Sequence, residues 1–251
     1  MNADSLAMYL PSRLRSQFLI EIPGLKDLLL DLGVQRLTEA LVLQKYVLLN
    51  FSVLPNSQKG KVSDVILQRW ESLKTTEFVE ELKRCPFVKK HVHDQSNSEI
   101  MYVTPENLLD PRNKLLAEIF NRSPSVFPAE EFATTEWLQI LSYLGMKNEL
   151  DKDLFLECAK KIELENDVSK GMCLMQYFLN TFGQFACTHE FCNQLSEIKC
   201  IPAELSSAPL ALYCSKDVSI PVHRHLVYEV LPVIPGKDSE TAAIIMLCDA
   251  L

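Results

Sequence analysis

The sequence predicts an α+β fold, predominantly helical, in which helix-rich modules carry short antiparallel β-hairpins. Three observations predict it. Apolar residues recur at three- and four-residue steps through most of the 251 residues, the period of a helix with one buried face. Extended apolar runs are few and short, and two of them flank Asp94-Gln95-Ser96-Asn97-Ser98, a run of turn formers. Capping residues and prolines punctuate the periodic stretches.

The first strong segment runs from about Val34 to Val53, where Leu37, Ala40, Leu41, Val47 and Leu48 make a helix apolar enough to be buried on most sides. Val62, Val65, Ile66, Trp70 and Leu73 follow as a second stripe, with Ser63 or a neighbour as its cap. A shorter helix over Thr76 to Lys83 turns Phe78, Val79 and Leu82 inward. Phe87 to His93 and Ile100 to Val103 then form the arms of the hairpin. Asp110 is positioned to cap the next helix, with Pro111 at its first position, where a missing N–H costs nothing. Leu115, Leu116, Ile119 and Phe120 form that helix's stripe, and Pro124 and Pro128 bound the connection that follows.

Trp137, Ile140, Leu141 and Leu144 make the next stripe, which Gly145 stops at a C′ position. Asp151 caps a helix carrying Leu154, Phe155, Cys158 and Ile162. The uncharged stretch from Gly171 to Thr188 contains Gln176, Asn180, Gln184 and two glycines, so it reads as a buried helix rather than a membrane span. A short helix from about His189 to Glu197 follows. Ile198 to Pro202, Ala211 to Cys214, Val218 to Val222 and Val227 to Val233 read as extended.

These elements group into a helical segment over 1–86, a hairpin plus helices over 87–149, and helices followed by a second, less complete strand unit over 150–251. Glu77-Phe78-Val79-Glu80-Glu81-Leu82, leading into Pro86-Phe87-Val88, is echoed by Glu190-Phe191-Cys192-Asn193-Gln194-Leu195, leading into Cys200-Ile201-Pro202. The offset of about 113 residues far exceeds a solenoid repeat. Either chance or duplication accounts for so short an echo. The apolar run Ala242-Ala243-Ile244-Ile245-Met246-Leu247 leads to the expectation that the chain is a piece of a longer one.

Composition excludes several classes. A hydrophobic fraction of 47% with 23% charged residues is that of a globular chain, not a disordered one. A net charge of −8, with Lys89, Lys90 and His91 the densest basic group, argues against nucleic acid and anionic membranes as partners. Met1 to Tyr9, with Asp4 and no basic run ahead of an apolar one, does not read as a signal peptide, and the eight cysteines lack the framework of small secreted domains. The expectation is a cytoplasmic protein, whose Asn50-Phe51-Ser52 and Asn121-Arg122-Ser123 sequons stay unmodified.

No chemistry stands out. A phosphate cradle needs clustered glycines, and the seven here are dispersed. Asp31-Leu32-Gly33 suits a helix ending in a glycine cap, and Gln35 stands where an ATP-binding D-x-G-x-G element has its second glycine. Cys187, His189, Cys192 and Cys200 supply zinc-ligand types at irregular spacing, as do Cys85, His91 and His93; both sets read as core thiols and surface histidines. His223 and His225 share a strand face with Cys214 or Asp217 nearby, again without a regular ligand set. Glu80-Glu81 and Glu130-Glu131 face different directions on helical turns and read as solvated charge. No serine or cysteine has a nucleophile's context. The expectation is no enzyme, no cofactor, no metal site and no catalytic residue.

The stretch Cys85 to Phe132, with Phe87-Val88, a polar turn, Val103-x-Pro105, Leu108-x-Asp110-Pro111-Arg112-Asn113, Leu115-Leu116, Phe127-Pro128 and Phe132, resembles the inter-module regions of sacsin-type proteins, a chaperone-related family with Hsp90-like repeats. Leu141-x-x-Leu144-Gly145 and Leu32-Gly33-Val34 through Leu54-Pro55 extend the resemblance. It implies two related helix-plus-hairpin units, of which 87–149 is the family-like one. It also implies a non-catalytic scaffold or interaction segment of a sacsin-like molecular chaperone in protein quality control. Its partners would be proteins: chaperones, clients or flanking modules of the same chain, with no nucleic acid and no membrane insertion. Two alternatives are a degenerate nucleotide-binding fragment of an Hsp90-like ATPase region and a standalone helical protein-binding adaptor. The adaptor would lack paired strands between Phe87 and Val103.

Overall fold

Four threonines head helices in the same way, each with a side-chain oxygen accepting from the N–H three residues on: Thr38 from Leu41, Thr75 from Phe78, Thr134 from Trp137 and Thr188 from Phe191. The computed structural model in which these caps are seen describes residues 24–33, 38–90, 101–181, 188–205 and 208–218. Among those residues it is mostly helical, with two small antiparallel sheets of two strands each, as expected. Residues 91–100, with the expected hairpin turn, and everything beyond Val218, with two expected extended runs, lie outside the described residues.

The chain divides into two compact units. One comprises 1–110 and 125–147, and the other 111–124 and 148–251. This division keeps the hairpin with the helices that precede it, whereas the three sequence segments place them apart.

In the first unit, α1 (Lys26–Asp31) is followed by α2 (Glu39–Val42), a π-helical stretch (Leu43–Val47) and a 3₁₀ stretch (Leu48–Val53). The expected single helix over 34–53 thus changes pitch twice over its described part, and each change rotates the apolar stripe. Leu43, Val47, Leu48 and Phe51 stay buried, while Leu49 and Val53 turn outward against expectation. The next helix, α3 (Asn56–Leu73), starts after Pro55, seven residues before the expected cap. Ser63 lies inside it, buried, with its hydroxyl donating to the Lys59 carbonyl.

Helix α4 (Thr76–Arg84) leads into β1 (Val88–Lys89), which pairs antiparallel with β2 (Tyr102–Val103) in the register Val88 to Val103 and Lys89 to Tyr102. The other edge of β1 meets the chain again: Lys90 bridges Pro128, and the Ala129 N–H donates to the Lys89 carbonyl. Phe87, Phe132 and Trp137 then cluster in the core, with Phe132 and Trp137 centroids 4.9 Å apart. Helix α6 (Thr135–Tyr143) closes the unit. The Gly145 N–H donates to Ser142 O and Met146 N–H to Leu141 O, a Schellman motif in which Gly145 takes φ +106°.

The second unit begins with α5 (Lys114–Ile119), whose start corrects an expectation. Its cap is Asn113, whose Oδ1 accepts from the N–H groups of Leu115 and Leu116, and not Asp110. Asp110 is buried, and its N–H donates to Lys147 O, so its backbone is committed elsewhere. Helix α7 (Lys152–Glu165) starts at the expected cap, Asp151, and ends in left-handed Asn166 at φ 50°. Helix α8 (Val168–Thr181) follows at once, and the Asp167 carboxylate accepts from the Lys170 N–H.

Helix α9 (His189–Ser196) precedes β3 (Ile201–Leu205) and β4 (Ala208–Tyr213), paired with Ile201 opposite Tyr213. Phe155 of α7 packs at an angle against Phe178 of α8 and edge to face against Phe191 of α9, at centroid distances of 5.2 and 5.8 Å, which ties the three helices to one core.

Candidate functional site

Two polar constellations stand out among the described residues, one in each unit. In the second unit, Lys170 of α8 is 2% exposed, and its ammonium donates to Ile119 O at 2.8 Å, Asn121 Oδ1 at 2.8 Å and Glu165 Oε2 at 2.6 Å. An ammonium has three N–H groups, and each has found an acceptor. Lys161 lies one turn before Glu165 on α7; it donates to the other carboxylate oxygen at 2.9 Å and to the Ser123 hydroxyl at 2.6 Å. Arg122 approaches Asp167 at 3.5 Å and Glu165 at 4.0 Å.

Burial pushes the Glu165 carboxyl up, but the hydrogen bonds and charges of Lys170 and Lys161 outweigh it and hold it below the ordinary carboxylate value. A lysine with all three protons engaged has no lone pair to attack with. Lys170 therefore fastens the chain after α5 to the α7–α8 turn and is not itself a nucleophile.

Only the Lys161–Glu165 pair, at i and i+4, is legible locally. Lys170 precedes the uncharged stretch that sequence analysis singled out, but its partners Ile119 and Asn121 lie about fifty residues back. No local pattern announces them.

In the first unit an open cleft of about 630 Å³ lies between α3 and α6, lined among others by Arg69, Trp70, Glu136, Gln139 and Tyr143. Trp70 and Tyr143 meet edge to face at 5.7 Å, and Tyr143 is 61% exposed. Arg69 interrupts α3 with non-helical torsions (φ −121°, ψ 16°), and its guanidinium pairs with Glu39 at 2.9 Å. An exposed tyrosine, a tryptophan and an arginine lining one cleft are side chains that anchor protein contacts. The helical stripe hid them from the sequence, because Trp70 reads there as core.

Cys192 and Cys200 are buried and His189 is exposed, while Cys187, His91, His93, His223 and His225 lie outside the described residues. Among the described residues no three His, Cys, Asp or Glu side chains converge as a metal would require. Burial pushes the thiols of Cys85, Cys158 and Cys200 up to about 12, far from the thiolate that a nucleophile or ligand needs.

Glu80, Glu81 and Glu131 pair with Lys83, Arg84 and Lys89. Gly33 follows the end of α1 at φ +78°, the conformation of a helix-ending glycine. No helix among the described residues is long and apolar enough to cross a membrane. Comparison with family models, with curated proteins and with solved structures finds no match to this chain.

Proposed function

We propose that this chain is a non-catalytic scaffold or interaction segment of a sacsin-like molecular chaperone in cytoplasmic protein quality control, and that its partners are proteins. The observation that carries the reading is a repeated order of elements. In each unit a threonine-capped helix of similar length leads through three or four residues into an antiparallel strand pair, and a 3₁₀ turn follows (Pro105–Asn107 in one, Ser215–Asp217 in the other). The caps Thr75 and Thr188, the inward Phe78 and Phe191, and the strand residues Val88 and Ile201 are each 113 residues apart.

Reiterated units in which no His, Cys, Asp or Glu cluster converges among the described residues suit spacing and docking. The residues behind the resemblance act as scaffold as well: Phe87, Phe132, Leu141 and Leu144 are core, and Pro128 holds the edge of β1. The Trp70–Tyr143 cleft supplies a surface of the composition that protein partners use.

A standalone helical adaptor was expected to lack paired strands between Phe87 and Val103, and Val88 pairs with Val103. The test against a degenerate nucleotide site is the melting of the chain with and without millimolar Mg-ATP. A scaffold melts at the same temperature in both. A nucleotide-dependent rise of several degrees overturns the proposal, because binding to the folded state alone must raise the melting point.

A further inference from the structure

We propose that Ser123 is a phosphorylation site for a proline-directed serine/threonine kinase, and that Lys161 and Arg122 form the cradle that holds its phosphate. The chain contains two Ser/Thr-Pro dipeptides, Thr104-Pro105 and Ser123-Pro124. Their surroundings are opposite. The Thr104 hydroxyl lies 3.4 Å from the Glu106 carboxylate and accepts from Asn107 Nδ2, with no cation among its side-chain hydrogen bonds.

Ser123 is half-buried in the connection after α5, and its hydroxyl accepts from the Lys161 ammonium at 2.6 Å. The neighbouring Arg122 side chain is 64% exposed and is engaged by carboxylates only at 3.5 and 4.0 Å. The ionised side chains joined here are three cations (Arg122, Lys161, Lys170) and two carboxylates (Glu165, Asp167), one positive charge in excess. A phosphoserine brings about −1.5 to −2 charges and three strong acceptors, so it turns a local excess of positive charge into ion pairs.

The chemistry balances. A bond forms between Ser123 Oγ and the γ-phosphorus of Mg-ATP, the bond from that phosphorus to the β-bridging oxygen breaks, ADP leaves, and the hydroxyl proton passes to the kinase's base. Lys170, with its three acceptors filled, keeps Glu165 while Lys161 turns to the phosphate. Modification therefore tightens the α5–α7–α8 junction without leaving the buried carboxylate unpaired.

The experiment treats the full chain and its Thr104→Ala variant with a proline-directed kinase and Mg-ATP, maps phosphate by mass spectrometry, and melts each protein before and after. In T104A, phosphate is expected at Ser123, with a rise in melting temperature of about 2–4 °C from the added charge-assisted contacts. That rise is expected to vanish in T104A/K161Q and to shrink in T104A/R122Q, each referred to its own unmodified melt. Absence of phosphate on Ser123, an unchanged or lowered melting temperature, or a full rise in both cradle variants would each overturn the proposal.

Discussion

Asn113 makes three hydrogen bonds with one side chain. Its Oδ1 accepts from the N–H groups of Leu115 and Leu116, and its Nδ2 donates to Asn148 O at 2.9 Å. The amide thus satisfies two orphan donors at the head of α5 and ties that helix to the entry of α7 within the second unit. Replacing it with alanine removes all three bonds and is expected to cost about 1–2 kcal/mol, the upper part of the range for a lost cap. A urea titration of Asn113→Ala reads this as a lower midpoint at unchanged slope. An unaltered midpoint would show that α5 is held by Leu116 and Ile119 alone.

The choice of cap shows where local reading stops. Asp110-Pro111-Arg112-Asn113 contains two good caps three residues apart, and both satisfy the helix-start pattern. Asn113 is selected because Leu108 and Asp110 are hydrogen-bonded to Lys147, about forty residues on. At the head of α7, by contrast, the expected cap is the observed one: the Asp151 carboxylate accepts from the Leu154 N–H at 2.8 Å.

At the scale of elements, two helical glycines make opposite predictions. Gly60 lies inside α3 with nothing within 4 Å of where a Cβ would stand, whereas a Cβ on Gly171 of α8 would meet Leu212 Cδ2 at 2.7 Å and Cys200 O at 3.1 Å. Gly60→Ala is therefore expected to stabilise by about 0.5–1 kcal/mol through the lost freedom of the unfolded chain. Gly171→Ala is expected to destabilise by about 1–3 kcal/mol, because the strand pair packs directly on the helix backbone and must shift. Thermal melts of the two variants should move in opposite directions, and a rise for Gly171→Ala would refute the close approach.

Amphipathic helices with unambiguous ends were legible in sequence. Helix α6 is one: its stripe and its closing glycine are read from the sequence, and the structure adds Thr134 as the cap. The stretch from Glu39 to Val53 was not legible as built. Apolar spacing specifies that a segment is helical but does not specify its pitch, and the π and 3₁₀ turns follow from packing. The break in α3 at Arg69 has a long-range companion too, the Arg69–Glu39 pair, which no three- or four-residue spacing can express.

At the scale of the whole chain, the units interleave in sequence: residues 111–124 belong to the second, and the chain returns to the first for 125–147. The echo at 113 residues hinted at reiteration, but a linear reading places 111–124 with its neighbours. It is the Lys170 cluster that holds Ile119 and Asn121 to α7 and α8. Both tryptophans, Trp70 and Trp137, lie in the first unit, whereas the buried ion cluster lies in the second, so the two units can be followed separately in one sample.

Glu165 titrates at a lower pH in the folded chain than in the unfolded one. Through that interval the unfolded state binds the proton and the folded state does not. Its stabilising contribution is therefore complete above the ordinary value of 4.5 and is lost as pH falls through the lower folded value. Protonation also strips Lys170 of its counter-charge while Lys170 remains buried, which is more costly than losing an exposed pair. On acidification below about pH 4.5, far-UV helical signal is expected to fall before tryptophan emission shifts. Glu165→Gln should lower the stability of the second unit at neutral pH and reduce the gap between the two transitions. Coincident acid transitions in the unmodified chain would instead mean that the units unfold together and that the Glu165 cluster does not set the order of loss.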